Sequence, residues 1–371
     1  MRLADIRAGM VRFLLSMRAA DGAFEFRFSP SSKPNLIGTS LAAMLAGLTG
    51  RLDTLTENER RCWADRICAC QRDDGWFEDD DISEDNLRPG YGKDRALLHR
   101  TRHALMALHA LRAKPVKPLA MVAQWLGGDR MKAWYGTLNL ADYWYSSNMM
   151  MDAAVLLHES FARWNTRGAI EAVESLLDCC DAHIDPKTGY HDGGRSEIRN
   201  AMAGVMHLYP VYVIRNRKIL RADAAIQTTL ALQQPDGLFG YESGTGGEDC
   251  LDYDAASILS NLGFQNHQYH DQIRTCFEKM KSGLEICRNA DGGFCAHRRP
   301  ETYYFGTRTT SVQAGESSLW ATYSRGLTLL MIEGFIMNKH PDGWQTGHNM
   351  MEVWDGGVGF ISRHPPGWKQ R

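Results

Sequence analysis

The chain has 371 residues, 42 basic and 44 acidic side chains and a formal net charge of −2. So even a balance gives no electrostatic footprint for nucleic acid. No apolar run approaches the roughly twenty residues of a membrane span, and the charged start MRLADIRAGMVRFLL is too short in its apolar part for a signal peptide. The nine cysteines are odd in number and form no CxxC pair, which fits reduced thiols. The expected setting is the cytoplasm, without a membrane span or a nucleic-acid partner.

A repeated turn punctuates the chain. Glycines 22, 75, 128, 189, 237 and 292 follow helix-length apolar stretches at intervals of 53, 53, 61, 48 and 55 residues. Each turn leads through a polar loop into a second apolar stretch, so about twelve helices in six pairs are expected. The predicted units are residues 1–50, 51–112, 113–165, 166–216, 217–266 and 267–335. A closing segment, 336–371, carries PDGWQTG, VWDGGVGF and HPPGW and is expected to pack across the join. No linker-like stretch divides the units, so residues 1–371 read as one all-α domain.

The first unit is read as a packing unit at the seam, with a small-residue helix from Leu36. The second has an acidic turn, Glu78 to Asp85, that is either a Mg²⁺ chelate or a solvated loop; a run with no spaced partner favours the loop. Its second helix is read from Arg100. His99 and His103 then lie one turn apart, and with Arg100 and Arg102 they make either a cationic wall for an anionic group or exposed polar residues at a helix start. No HExxH pattern accompanies them. In the third unit Trp134, Tyr135, Tyr143, Trp144 and Tyr145 either fill core or line a cavity. Asn148 and Asp152 fall within an apolar helix, where an unpaired carboxylate is expensive to bury.

The fourth unit gathers Glu197, Arg199 and Asn200 just before its inner helix, and the sixth has Glu316, Trp320 and Tyr323 after a long loop. The fifth carries the densest chemistry. After the Asp236-Gly237 turn, GYESGTGGEDCLDYDAA places Asp249, Asp252 and Asp254 at a helix mouth, where carboxylates are favoured. At that spacing the three are expected to approach one another, so that one keeps its proton as an acid catalyst, with Asp252 first in line. The bland alternative is a cluster that merely caps the helix.

The turns QRDDGW, QQPDGLF and RNADGGF resemble the Gln-x-x-Asp-Gly-x-aromatic repeats of the terpene cyclase and protein prenyltransferase superfamily. That resemblance spans nearly the whole chain and implies an α6/α6 toroid with the loops before the inner helices at an active-site mouth. Class II cyclases place a DxDDTA motif where EDCLDYDAA stands, which implies Asp252 as the proton donor, although Tyr253 and Asp254 occupy the positions of the paired Asp and Thr. The zinc ligands of protein prenyltransferases would fall on Asp252-Tyr253-Asp254-Ala255 and near Leu319-Trp320, so zinc is not expected. Proton-initiated cyclisation of an isoprenoid is therefore the first expectation, with no required cofactor. The second is a carbohydrate-active lyase or hydrolase, with acids and bases drawn from Asp152, Glu197, Asp252 and Glu316 and sugar stacking on Trp144, Trp320 and Tyr323; there Arg199 or Arg100 would hold a uronate carboxylate. A non-catalytic binding toroid is the third.

Overall fold

The computed structural model describes residues 2–19, 24–300, 302–337 and 344. Twelve α-helices lie within them: α1 (Leu3–Ser16), α2 (Leu36–Leu48), α3 (Glu57–Cys68), α4 (Lys93–Ala110), α5 (Gly128–Tyr135), α6 (Tyr143–Trp164), α7 (Ala169–Ala182), α8 (Ile198–Ile214), α9 (Ala222–Ala231), α10 (Asp249–Gln265), α11 (His270–Gly283) and α12 (Leu319–Met337). One short antiparallel ribbon, β1 (Thr302–Tyr303) with β2 (Ser311–Val312), folds the long loop before α12.

The even-numbered helices form a closed ring. Each packs against the next, from α2 through α4, α6, α8 and α10 to α12, and α12 packs back on α2. Their sequences explain this position. A helix that is apolar all round has no face to give to water, and all 13 residues of α2, LIGTSLAAMLAGL, are buried. Odd-numbered helices carry a single stripe instead: α11 buries Ile273, Cys276, Phe277 and Met280, one face at the helical period. They lie outside the ring. The fold is thus an all-α toroid, and no described helix is long and apolar enough to cross a membrane. All nine cysteines are free thiols.

The repeated turns bind each unit to the next. Gly237 has φ +86°, and a Cβ there would sit 2.5 Å from the carbonyl oxygen of Lys279 in α11. Gly75 stands in the same way against Pro118, Gly189 against α9, and Gly292 against Gly9 of α1. Only glycine tolerates both the positive φ and the backbone approach. The glutamine of the motif completes the contact: Gln233 Nε2 donates to the carbonyls of Gly237 and Cys276, each at 2.8 Å. Gln71 accepts from the amides of Val116 and Lys117.

Several expected boundaries shift. Gly128 does not close an outer helix; it begins α5. The Gly-Gly-Asp sequence there is a helix start because Gly127, at φ +87°, breaks the chain direction and Asp129 enters the first turn. Helix α4 starts at Lys93, so His99, Arg100 and His103 lie in its buried middle and not at an exposed start. The turn at Gly22 falls outside the described residues. So does the closing segment beyond residue 337, apart from a buried Trp344.

Candidate active site

Inside the ring lies a cavity of about 260 Å³. Helical phase decides what reaches it. Arg95, His99, Arg102 and Met106 line it from α4, and Trp144, Asn148 and Met151 from α6, each set spaced by three or four residues as one helix face requires. Met206, His207 and Pro210 come from α8, Trp320 and Tyr323 from α12, and Tyr304 and Phe305 from the ribbon loop. Ring edges and faces dominate: Phe305 lies 5.6 Å from Trp320 and 4.9 Å from His103, which packs behind the wall.

Helix α10 contributes Cys250, Tyr253 and Asp254. At about 100° per residue these three share a face. Asp252 is turned by about 200° from Asp254 and so points away. All three aspartates are buried, yet their surroundings differ. Asp252 Oδ2 pairs with Arg325 Nη1 at 2.6 Å, and its Oδ1 accepts the Phe239 amide at 2.6 Å. Burial lifts it to about 6 against the pull of Arg325. Asp249 accepts the Tyr304 hydroxyl at 2.8 Å and is likewise raised by burial. Asp254 Oδ2 has no hydrogen-bond partner among the described residues. Burial first, then the charges of Asp249 and Asp252, push its carboxyl well above the usual range.

The three carboxylates act on one another through their charges, yet each has different surroundings. Asp252 ties the loop of its own unit to α12 through Arg325, whose other nitrogens donate to the carbonyls of Cys295, Gly246 and Ala296. Asp254 alone of the three lines the cavity.

The remaining predicted residues divide in the same manner. His99, Trp144, Asn148, Trp320 and Tyr323 line the cavity. Asp152 is buried beside it, paired with Arg102 and 3.4 Å from His99 Nδ1. Arg100 faces the other way, toward Asp79 and Asp81. The acidic turn is thus partly structural: Asp79 caps α2 by accepting the Leu36 amide at 2.8 Å. Glu197 is the N-cap of α8 and accepts from the amides of Arg199 and Asn200. Arg199 donates to the Gly240 carbonyl, and Asn200 accepts the Tyr241 hydroxyl. Glu316 binds Ser31 and the Gln313 amide. None of these last five lines the cavity.

Two imidazoles at the wall are held by hydrogen bonds at Nδ1. His99 Nδ1 lies 3.2 Å from the Arg95 carbonyl, so that nitrogen carries the hydrogen. His207 Nδ1 lies 3.0 Å from the Ser147 hydroxyl, which also reaches the Trp144 carbonyl. Burial holds His99 down at about 4 and His207 well below its usual value. Burial thus favours the neutral form of both rings, and in His99 the basic atom is Nε2.

Sequence reasoning missed Arg95, Cys250 and His207. The signal for the last was an imidazole inside an apolar run, VMHLY.

A family model described as the prenyltransferase alpha-alpha toroid domain matches residues 3–113 and 133–307. Among solved structures, the chain resembles a variant of the type II terpene cyclase MstE from Scytonema in complex with its substrate, geranylgeranyl dihydroxybenzoate. The identity is 14%, with 90% of this chain and 98% of that one covered at a TM-score of 0.50. It resembles a glycosyl hydrolase family 88 protein from Bacteroides vulgatus equally, at 16% identity, 90% and 98% coverage and a TM-score of 0.50. These likenesses extend to the fold. No protein of curated function matches the sequence.

Proposed function

We propose that this chain, which belongs to the prenyltransferase α/α toroid domain family, is an enzyme that cyclises an isoprenoid by protonating it, with Asp254 as the acid. The observation that carries this reading is one buried carboxyl, raised well above its ordinary pKa and without a partner for Oδ2, on the wall of an aromatic and thioether-lined cavity. A carboxylic acid in an apolar setting keeps its proton at neutral pH and gives it up only to a reacting group.

The reaction needs no cofactor. The Asp254 proton adds to a terminal alkene carbon, and the π electrons of successive alkenes close the rings on the cation so formed. The negative ring faces of Trp144, Trp320 and Phe305 stabilise that positive charge. Loss of a proton to the neutral Nε2 of His99 regenerates an alkene, so the product is an isomer of the substrate. The ring order places α4, with His99, three helices round from α10. Acid and base then stand on opposite walls.

The carbohydrate reading asks for two carboxyl groups flanking one bond. Asp152, Glu197, Asp252 and Glu316 are each held by other partners, which favours the cyclase. The test is incubation in D₂O with geranylgeranyl dihydroxybenzoate and with geranylgeranyl diphosphate. Expected is a product isomeric with the substrate that carries one deuterium, lost by about 10²–10⁴-fold in Asp254→Asn. Cleavage of unsaturated uronyl oligosaccharides with no such isomer would replace this reading by the carbohydrate one.

A further inference from the structure

The turn RNADGGF carries a cysteine on each side, and neither lines the cavity. Cys287 ends the short 3₁₀ turn Leu284–Cys287, and Cys295 follows the bend. Backbone pairing sets the two face to face. The Cys295 amide donates to the Cys287 carbonyl at 2.9 Å, and the Asn289 amide to the Gly293 carbonyl at 3.0 Å. Arg288 and Phe294 are thereby antiparallel partners, and the cysteines are the next pair outward. Residues opposite each other in a hydrogen-bonded pair have Cα atoms about 5.5 Å apart, inside the roughly 4.4–6.8 Å that a disulfide spans. Opposed side chains of one ladder also project to the same face.

Their surroundings make the two sulfurs unequal. The Cys287 thiol has one hydrogen and two neighbours to receive it, the Gly246 carbonyl at 3.1 Å and the Cys295 sulfur. Donation by Cys287 holds the Cys295 thiol below its ordinary value, against burial and with help from the charges of Arg298 and Arg325. The same bond, together with burial, pushes Cys287 up. A thiolate beside a protonated thiol is the arrangement of an attacking and a resolving sulfur. Both residues are buried, but the bend between them is exposed at Ala290 and Asp291, so a small oxidant reaches them through local opening of the turn. Gly246 belongs to the loop that enters α10, and its carbonyl also receives Arg325 Nη2 at 2.8 Å. A Cβ at Gly246 would meet the Cys287 sulfur at 2.7 Å, so loop and turn touch at that sulfur.

We propose that Cys287 and Cys295 are a reversible redox pair, closed to a disulfide by hydrogen peroxide, and that closure takes the Cys287 donor from Gly246 and loosens the loop into α10. The Cys295 thiolate attacks the peroxide; an S–O bond forms, the O–O bond breaks, and the released hydroxide takes up a proton. The Cys287 sulfur then attacks the sulfenic acid at Cys295. An S–S bond forms, the S–O bond breaks, and water leaves with the Cys287 proton. Two thiols are oxidised and one peroxide is reduced to water, and an external dithiol reverses the closure. Neither step involves Asp254, so the cyclase reading can fail without touching this one.

The test treats the folded full chain with a small excess of hydrogen peroxide and maps its peptides. Trypsin cuts after Lys281, Arg288 and Arg298, so residues 282–288 and 289–298 stay joined only by the disulfide. Expected is that joined pair, lost in Cys287→Ser and in Cys295→Ser and opened by dithiothreitol. In Cys287→Ser, dimedone is expected to label Cys295; in Cys295→Ser it is expected to leave Cys287 unlabelled. Amide exchange over residues 244–248 is expected to rise on oxidation and to fall back on reduction. Absence of the joined pair, labelling of Cys287 in place of Cys295, or a joined pair with unchanged exchange over residues 244–248 overturns the proposal.

Discussion

A carboxylic acid inside a protein either faces a cation and ionises or keeps its proton, and α10 holds one of each. Asp252 and Arg325 are both fully buried and 2.6 Å apart. Breaking such a pair from one side leaves a buried charge uncompensated and costs about 3–5 kcal/mol. Asp252→Asn is expected to lower the urea unfolding free energy by that amount, whereas Asp254→Asn, which removes no ion pair, is expected to stay within about 1 kcal/mol of the parent. Equal effects would mean that the two residues do not differ as their contacts do. The neighbouring Glu248 extends the argument to pH. Burial and the Asp249 charge lift it to about 8 despite its bond to Arg299. Its folded pKa is thus above the unfolded value of about 4.3, so the folded state binds the extra proton and stability falls as pH rises toward 8. The buried histidines His99, His191 and His297, held near 4, act with the opposite sign but only below about 6.5. Between pH 6.5 and 8.5 the urea midpoint should therefore decline, and Glu248→Gln should flatten that decline; a midpoint that rises there would refute the account.

At the scale of the element, the turn and the inner helix differ in how much they reveal before folding. The Asp-Gly turn is explicit because one backbone geometry demands one residue. Gly237→Ala would force a Cβ to 2.5 Å from the Lys279 carbonyl at φ +86°, while Gly244→Ala meets a similar φ, +81°, with nothing within 4 Å. Positive φ alone costs about 1 kcal/mol. Gly237→Ala is expected to lose about 2–4 kcal/mol, strain and displaced backbone together, and a smaller loss than in Gly244→Ala would deny the turn its docking role. Inner helices hide their phase. Because α2 is buried on every side and α12 is buried from Leu319 to Phe335 except at Trp320, no polar stripe marks which face meets the cavity. That is why the sequence does not show that Asp254 lines the cavity while Asp252 turns to Arg325: the resemblance supplied a motif position, and only packing supplied the rotation. Arg100 fails for the same reason. It lies one residue from His99 and therefore about 100° round the helix, on the side of the acidic turn.

For the whole molecule, closure was legible in the recurrence of the turn, since units with one exposed apolar side must cover it with a neighbour. Which residues make the last join was not, because they come from opposite ends of the chain and have no local signal. Gly292 rests on Gly9, the Leu319 amide donates to the Phe28 carbonyl at 2.9 Å, and Glu316 accepts both the Ser31 amide, at 2.9 Å, and the Ser31 hydroxyl, at 3.0 Å. Glu316, expected at a substrate, sits instead across the seam. A carboxylate that accepts backbone and hydroxyl hydrogens in this way contributes about 1–3 kcal/mol. In an open array that loss would remain local. In a closed ring each unit has two neighbours, and loosening one joint exposes both its sides. Glu316→Ala should accordingly raise amide hydrogen exchange on residues 28–35 and 313–319 together, and leave the exchange of α6 and α8, on the far side of the ring, unchanged. Limited proteolysis of the same variant should cut first at the seam, whereas the parent should release no stable fragment of a few units. Faster exchange confined to residues 313–319 would show that the two ends are merely adjacent and not joined.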